Sequence, residues 1–406
     1  MQLLVEGSFS SFSRTPIYPL FLAVASKTLS PNPALLALVQ IAVSLVTMSL
    51  IGSLCLRLFD FRTALLALIF MALDLTSAIS ANHLLSETLF TLLLYACLVG
   101  LPYFHNRHRS DRSSLIGISL IGIGFSLLAL CRPIALLLFV VIAFWLYVTL
   151  RNRRSHVLAI VLCFCACSML LPLSWVIRNH AHTGTYFFST TSATNIFEYR
   201  AAWNVSRVSN RSFAAVRDEF RQRADLEKKN ANLNEGELAR WKQSEGIKIL
   251  KDGPLLTLRQ GFDGLIKMYW GISTAGIDEF RRTSEQNDLK DSGSLIIQRL
   301  RDLDGKDAAL WIAGIKLWAI LYLVLLYFGV AFVVVEIVRR RFSTEQRHVL
   351  WLMWMVIAYF TFFSVGAEAY SRFRVPVAPA LSVLGASGWA ALLLRSCPKT
   401  TLQLCP

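Results

Sequence analysis

Charge is scarce in this sequence: Asp, Glu, Lys and Arg make up 17% of its 406 residues, against about 25% in an ordinary soluble domain. With 55% of the residues hydrophobic, a soluble cytosolic enzyme is excluded. The opening MQLLVEGSFSSFSRTP lacks both a basic start and a long apolar stretch, so it is not a signal peptide. No internal repeat or low-complexity tract is present. None of the eight cysteines falls within the polar segment 178–308, which excludes a small exported domain built on disulfides. Cys55, Cys97, Cys131, Cys163, Cys165 and Cys167 lie in apolar runs and Cys397 and Cys405 near the C-terminus; their spacing suits no common zinc site and they read as packing residues. Gly117, Gly122 and Gly124 lie within an apolar run, where close helix packing is the plainer role than phosphate cradling.

What is abundant is apolar length. About 20 apolar residues cross the hydrocarbon layer as a helix, and nine segments qualify: 34–56, 63–81, 84–104, 115–131, 133–150, 157–177, 317–335, 349–365 and 375–394. The expected fold is therefore an all-α polytopic membrane protein of about nine transmembrane helices, interrupted by one large polar module. The formal charge of +15 fits this organisation better than a nucleic-acid interface. Segment 178–308 holds 21 basic and 18 acidic residues and is nearly balanced. Arg57, Arg62, Arg107, Arg109, Arg112, Arg151, Arg153, Arg154, Arg339, Arg340, Arg341, Arg347, Arg395 and Lys399 fall in every second gap between apolar segments. By the positive-inside rule these gaps are cytoplasmic. The polar module and the C-terminal gap 366–374 are then extracytoplasmic, and the C-terminus is cytoplasmic. The expected organisation is an extracytoplasmic stretch 1–33 with an interfacial helix, a six-span membrane domain 34–177, an extracytoplasmic module 178–308 and a three-span segment 309–406 with a short cytoplasmic tail. An outside N-terminus without a signal leads to the further expectation of a span upstream of Met1. Within the module, PLLTLRQGFDGLIKMYWGI has the alternation of an amphipathic helix that could lie on the membrane surface.

Ionisable groups at membrane depth are costly and therefore functional candidates. Only the second and third segments contain a carboxylate: Asp74, about 10 Å from the outer end, and Glu87, about 5 Å from it at 1.5 Å per residue. For Asp74 a helix-bonded role weighs as much as a functional one. The outer ends of the spans carry Arg14, Arg132, Arg178, Arg372 and Arg374. Singly these are interfacial residues that snorkel; together they make an electropositive rim suited to a lipid phosphate. A carboxylate beside such a rim points to base chemistry next to a phosphate leaving group. His180 and His182 could hold a divalent metal only if a carboxylate joined them, and a solvated loop is the plainer reading of H-x-H.

Five stretches carry a resemblance: RTPIYPLFLA, HLLSETLF, the LCRP closing the fourth segment, WVIRN followed by TSATNIF, and EAYSRFRVPVAPALSVLGASG. In this order they resemble the GT-C superfamily of integral-membrane glycosyltransferases, nearest to the branch of aminoarabinose transferases and protein O-mannosyltransferases. The resemblance implies transfer of a sugar from a polyprenyl-phosphate donor to a glycan, lipid or protein hydroxyl on the outer face of the membrane; compact size and a short tail point to a bacterial inner membrane. It implies Glu87 as an acidic position at the cavity, Arg14, Arg178 and Arg372 as phosphate-side cations, and Tyr18 in the donor pocket. Arg132 and Arg374 join them from the rim reading above. The family's principal carboxylate precedes its RTP-x-YP stretch. Glu6-Gly7 resembles the end of the helix after that Asp, so the resemblance places the principal carboxylate upstream of Met1. Two other readings stand beside it: a transporter of lipid or sugar-lipid, and a non-catalytic scaffold descended from such an enzyme.

Overall fold

The structure is a computed structural model and describes residues 12, 14–106, 111–151, 156–271 and 305–396. Glu6, Arg107, Arg109, Arg153, Arg154, Cys397, Lys399, Cys405 and segment 272–304 lie outside the described residues. The protein is an all-α polytopic membrane protein, and the described residues are 85% helical. In chain order the first helices are α1 (Ile17–Thr28), α2 (Pro33–Leu58), α3 (Phe61–Leu73), α4 (Leu75–Asn82), α5 (Glu87–Asn106), α6 (Asp111–Cys131), α7 (Leu138–Leu150) and α8 (Val157–Thr183). The polar module follows as α9 (Thr191–Thr194), a π-helical turn Asn195–Ala201, α10 (Ala202–Val208), α11 (Phe213–Asn230), α12 (Glu235–Asp252) and α13 (Pro254–Trp270). The chain closes with α14 (Gly305–Val338), α15 (Thr344–Ser364), a 3-10 segment Ser371–Val377 and α16 (Ala378–Ser396).

Each of the nine apolar segments has a helical counterpart. Seven described helices are long and apolar enough to cross a membrane, and α3 with α4 forms an eighth candidate bent by 57°. The ninth segment is α5, which begins at Glu87, three residues later than its apolar run. The chain clusters into two compact units. Unit I comprises Met1–Val24, Phe104–Tyr269 and Tyr359–Phe373, and unit II comprises Ala25–Tyr103, Trp270–Ala358 and Arg374–Pro406.

In unit II the helix starts are capped as their sequences dictate. Asn32 Oδ1 accepts from the Ala34 N–H at 2.9 Å ahead of Pro33, and Asp60 Oδ1 accepts from the Thr63 N–H at 2.7 Å. Asp74 ends α3 and begins α4. Its Oδ2 accepts from the Ser77 N–H at 3.2 Å and the Ser77 hydroxyl at 2.5 Å, which offers the backbone an N-cap in place of a continued helix. Its Oδ1 accepts from Arg374 Nη2 at 3.2 Å, and that guanidinium also donates to Thr76 Oγ1 at 2.9 Å. Both charged side chains are buried, at 4% and 1% exposure. The end of α4 is tied as well: Gln40 Nε2 donates to the carbonyls of Ala81 and His83 at 3.3 and 2.6 Å. The fully buried Tyr95 hydroxyl donates to the Pro376 carbonyl at 3.1 Å and accepts from the Ala380 N–H at 2.9 Å, bridging the break at which α16 begins. Further along, α14 and α16 meet through Gly329, Gly385 and Gly388. A Cβ on Gly388 would collide with the Gly329 carbonyl, so only glycine permits this approach.

Unit I packs α6 on α8 in the same way. A Cβ on Gly122 would strike Cys167 and the Phe164 carbonyl, and the Ser126 hydroxyl reaches the carbonyls of Cys167 and Ser168 at 2.7 and 2.8 Å. Ser119 Oγ lies 3.1 Å from Cys163 Sγ, so Cys163 and Cys167, four residues apart, share the face turned to α6. The polar module has its own core of Phe197, Ala201, Ala202, Val216, Phe220, Ala224 and Leu238. The paired helices of segment 212–250 are separated by Asn232 at φ 50°, a left-handed turn that Asn tolerates. The second of them opens on a reciprocal cap between Asn234 and Glu237. Beside this core Glu198 accepts from Lys242 Nζ at 2.7 Å and Arg221 Nε at 3.1 Å, tying the π-helical turn to α11 and α12.

These ties set the expected cost of breaking them. Asp74→Leu leaves Arg374 charged and buried, and Arg374→Met leaves Asp74 so; each is expected to cost about 3–5 kcal/mol, whereas the two changes together are expected to cost much less. Thermal unfolding of the parent, the two single variants and the double variant in detergent, combined as a double-mutant cycle, measures the difference. Glu198→Ala is expected to cost about 1–3 kcal/mol, read as earlier proteolysis of the polar module while the spans stay folded.

Candidate functional site

Five of the seven residues expected at a site belong to unit I, and the N-terminal stretch is where they begin. The Phe12 carbonyl accepts from the Thr190 N–H at 3.2 Å, and the Phe12 ring packs edge-on against Phe187, 5.9 Å between centroids. Arg14 follows, exposed, then buried Thr15 and half-buried Tyr18 in the first turn of α1, stacked on Phe21 at 6.3 Å.

Arg178 lies near the end of α8. Its guanidinium sits over the Trp175 ring at 4.6 Å and the Phe12 ring at 5.2 Å, and its Nη1 donates to Asn179 Oδ1 at 2.9 Å. Trp175 precedes Arg178 by three residues, so the two share a helix face. Asn179 is fully buried and its Nδ2 donates to the Phe187 and Phe188 carbonyls at 3.0 and 3.2 Å. The chain can fold back there because Gly184 ends α8 at φ 67°, a left-handed cap that glycine adopts without strain. Two ring contacts orient the cation and shield part of it, while the Asn179 amide oxygen holds one of its nitrogens.

Arg132 is half-buried and precedes Pro133, which pushes it to extended backbone at φ −144° and ψ 127° and starts a 3-10 turn. The Tyr359 hydroxyl donates to the Ile134 carbonyl at 2.5 Å and so ties this turn to the end of α15. Just beyond α15, Arg372 is half-buried and lies over the Tyr370 ring at 4.7 Å and the Phe373 ring at 5.9 Å. The EAYSRFR stretch that carries it is anchored by Glu368, which accepts from Arg200 Nε at 2.9 Å and Nη2 at 2.7 Å in a two-pronged pair. A Cβ on Gly366 would strike that pair.

Glu87 and Arg374 belong to unit II. Glu87 is 2% exposed and is the first residue of α5, where the helix N-terminus favours a carboxylate. Arg374 is the partner of Asp74 described above. The division between the units falls between Phe373 and Arg374, so the two arginines of SRFRVP go to different units. Ser77 and Thr88, next to the Asp74 cap and to Glu87, line a cavity of about 40 Å³ with Ser44, Thr47 and Thr91. That volume suits a water molecule and lies far below the several hundred Å³ of a pocket for a small ligand.

His180 stacks on Tyr186 with centroids 3.8 Å apart, and His182 is exposed. Among the described residues no three His, Cys, Asp or Glu side chains are placed to hold a metal ion. Trp175 and Asn179 lie inside the WVIRN stretch and Glu368 inside EAYSRFR, although the sequence does not show what they hold; Tyr359 and Arg200 carry no sequence signal.

No protein-family profile matches the chain, and no curated protein matches its sequence. Solved structures are similar in fold. The archaeal oligosaccharyltransferase AglB of Archaeoglobus fulgidus, in complex with an inhibitory peptide and a dolichol-phosphate, aligns with 97% of this chain and 44% of its own, at 13% identity and a TM-score of 0.50. The apo oligosaccharyltransferase of the same organism aligns with 94% of this chain and 43% of its own, at 13% identity and a TM-score of 0.49. The chain therefore spans less than half the length of these proteins. What the likeness establishes is architecture: over 97% of its length this chain has the fold of part of that oligosaccharyltransferase.

Proposed function

We propose that the protein transfers a sugar from a polyprenyl-phosphate donor to an acceptor hydroxyl on the extracytoplasmic face of the membrane, as a GT-C glycosyltransferase of the aminoarabinose and O-mannosyl transferase branch. The observation that carries this reading is the fold likeness over 97% of the chain to a glycosyltransferase held with a dolichol-phosphate. The ordered RTPIYP, SET, CRP, VIRN and SRFRVP stretches support it independently of that likeness.

In this reaction the acceptor oxygen attacks the anomeric carbon and its proton passes to a carboxylate. The bond from the anomeric carbon to the phosphate oxygen breaks, and the electron pair leaves with the polyprenyl phosphate. Charge grows on that phosphate in the transition state, and fixed cations lower the barrier because they are already oriented before the bond breaks. Arg178, clamped between two rings and Asn179, has that rigidity; Arg14, Arg132 and Arg372 complete the phosphate-side set, and Tyr18 lines the donor's path. Glu87, buried and at a helix start, orients the acceptor or the donor beside that carboxylate. Arg374 is engaged with Asp74 within unit II.

The test is release of polyprenyl phosphate and appearance of glycosylated acceptor when the purified protein is reconstituted with polyprenyl-phosphate sugars. Arg178→Ala is expected to lower turnover about 10²–10³-fold, the loss typical of one oxyanion-stabilising donor, with Arg178→Lys intermediate. Glu87→Gln is expected to abolish most of the remainder without changing thermal stability by more than about 1 kcal/mol. Undiminished turnover in both variants overturns the site assignment. Transbilayer movement of the lipid with no transfer, across the donors tried, overturns the enzyme reading in favour of a transporter.

A further inference from the structure

Helix α13 has two faces with opposite fates. Gln260, Gly264 and Met268 are buried on one. There Gly264 meets the backbone of Gly366 so closely that a Cβ would collide, Gly261 faces Val365, and the Tyr269 hydroxyl lies 2.6 Å from Thr361 Oγ1. Gln260 Nε2 donates to the Arg200 carbonyl at 2.9 Å. These contacts fix α13 at the level where the span α15 ends, since Thr361 is in its last turn and Val365 and Gly366 follow it.

The other face is apolar and open. Leu255, Leu258, Phe262 and Ile266 are 80%, 71%, 63% and 45% exposed, and at 100° per residue they fall within an arc of about 80°. Arg259, Asp263 and Lys267 occupy the next arc, where Arg259 and Lys267 are exposed. Phe362 on α15 is 77% exposed as well, so an apolar surface belonging to a membrane span adjoins the helix that carries the stripe. An apolar stripe bordered by long cationic side chains is the pattern of a helix lying in the plane of a bilayer surface, with the stems of Arg and Lys along the hydrocarbon and their heads among lipid phosphates.

We propose that α13 lies in the boundary between headgroups and acyl chains at the leaflet where α15 ends, with Leu255, Leu258, Phe262 and Ile266 inserted among the acyl chains and Arg259 and Lys267 on the phosphates. The occupant of the stripe is the lipid of the protein's own membrane. Because α13 is bonded to Arg200, and Arg200 to Glu368, the inserted helix is also a brace for the stretch that carries Arg372.

The full chain, with p-benzoylphenylalanine in place of Leu258, Phe262, Ile266 or Asp263 in turn, is reconstituted in nanodiscs of phosphatidylcholine with a minority of phosphatidylglycerol, irradiated and analysed by mass spectrometry. Monodisperse elution of each variant checks the fold. Phospholipid adducts are expected at 258, 262 and 266, about tenfold more than at 263, as the narrow inserted arc requires. Adducts to another segment of this chain or to a second copy at those three positions, or equal lipid capture at 263, overturn the proposal.

Discussion

Inside hydrocarbon a backbone N–H, a carbonyl or a charge has no water to turn to, and every interruption of a helix must be answered by a side chain. Among the described residues the spans are interrupted at three places, and each is answered. Asp74 caps α4 where α3 stops and is itself held by Arg374 and Ser77. Tyr359 meets the carbonyl freed at the Pro133 turn. Tyr95 supplies both a donor and an acceptor where prolines prevent the 3-10 segment from running smoothly into α16. These clasps join residues up to 300 positions apart in sequence, so the breaks and the tertiary fold are one event: neither forms without the other.

Three of the seven residues proposed for the site lie at these breaks, and a fourth opens a helix. Arg132 precedes the proline turn, Arg372 and Arg374 sit in the 3-10 segment, and Glu87 opens α5 four residues after His83, whose carbonyl Gln40 holds. A continuous helix presents its side chains to neighbours at fixed intervals, whereas a break releases a short stretch that can be aimed. The cost of each break is offset by a buried hydrogen bond or ion pair, which in turn holds the aimed residue still. The polar module works on the ordinary aqueous terms of caps, a small aromatic core and ion pairs around Glu198.

Much of the architecture is legible in the amino-acid sequence. All nine apolar segments contain helices, and seven of them, or eight with the bent pair α3 and α4, are long and apolar enough to cross a membrane, because apolar length is a property of local sequence. The small residues that permit close packing stand out as glycines within apolar runs, although which helix each one meets does not. Asp74 is visible as an intramembrane acid but not as a cap held from afar, since its bond to Ser77 is local while its partner Arg374 is distant along the chain. Of the candidate site, the arginines are legible and their settings are not. Arg372 and Arg374 are equivalent as sequence. Two residues apart, they have opposite surroundings: rings of neighbouring aromatics for one, a buried carboxylate for the other.

That this is a helical membrane protein with one polar module, and which apolar runs form helices, is dictated by the sequence alone, because both follow from composition and period along the chain. Where the spans break, which charges hold those breaks, and the clamping of Arg178 between Phe12 and Trp175 are settled by tertiary packing. The reason is the same in each case: a charge in a low-dielectric interior is defined by its partner, and the partner is chosen by the fold rather than by the neighbouring residues.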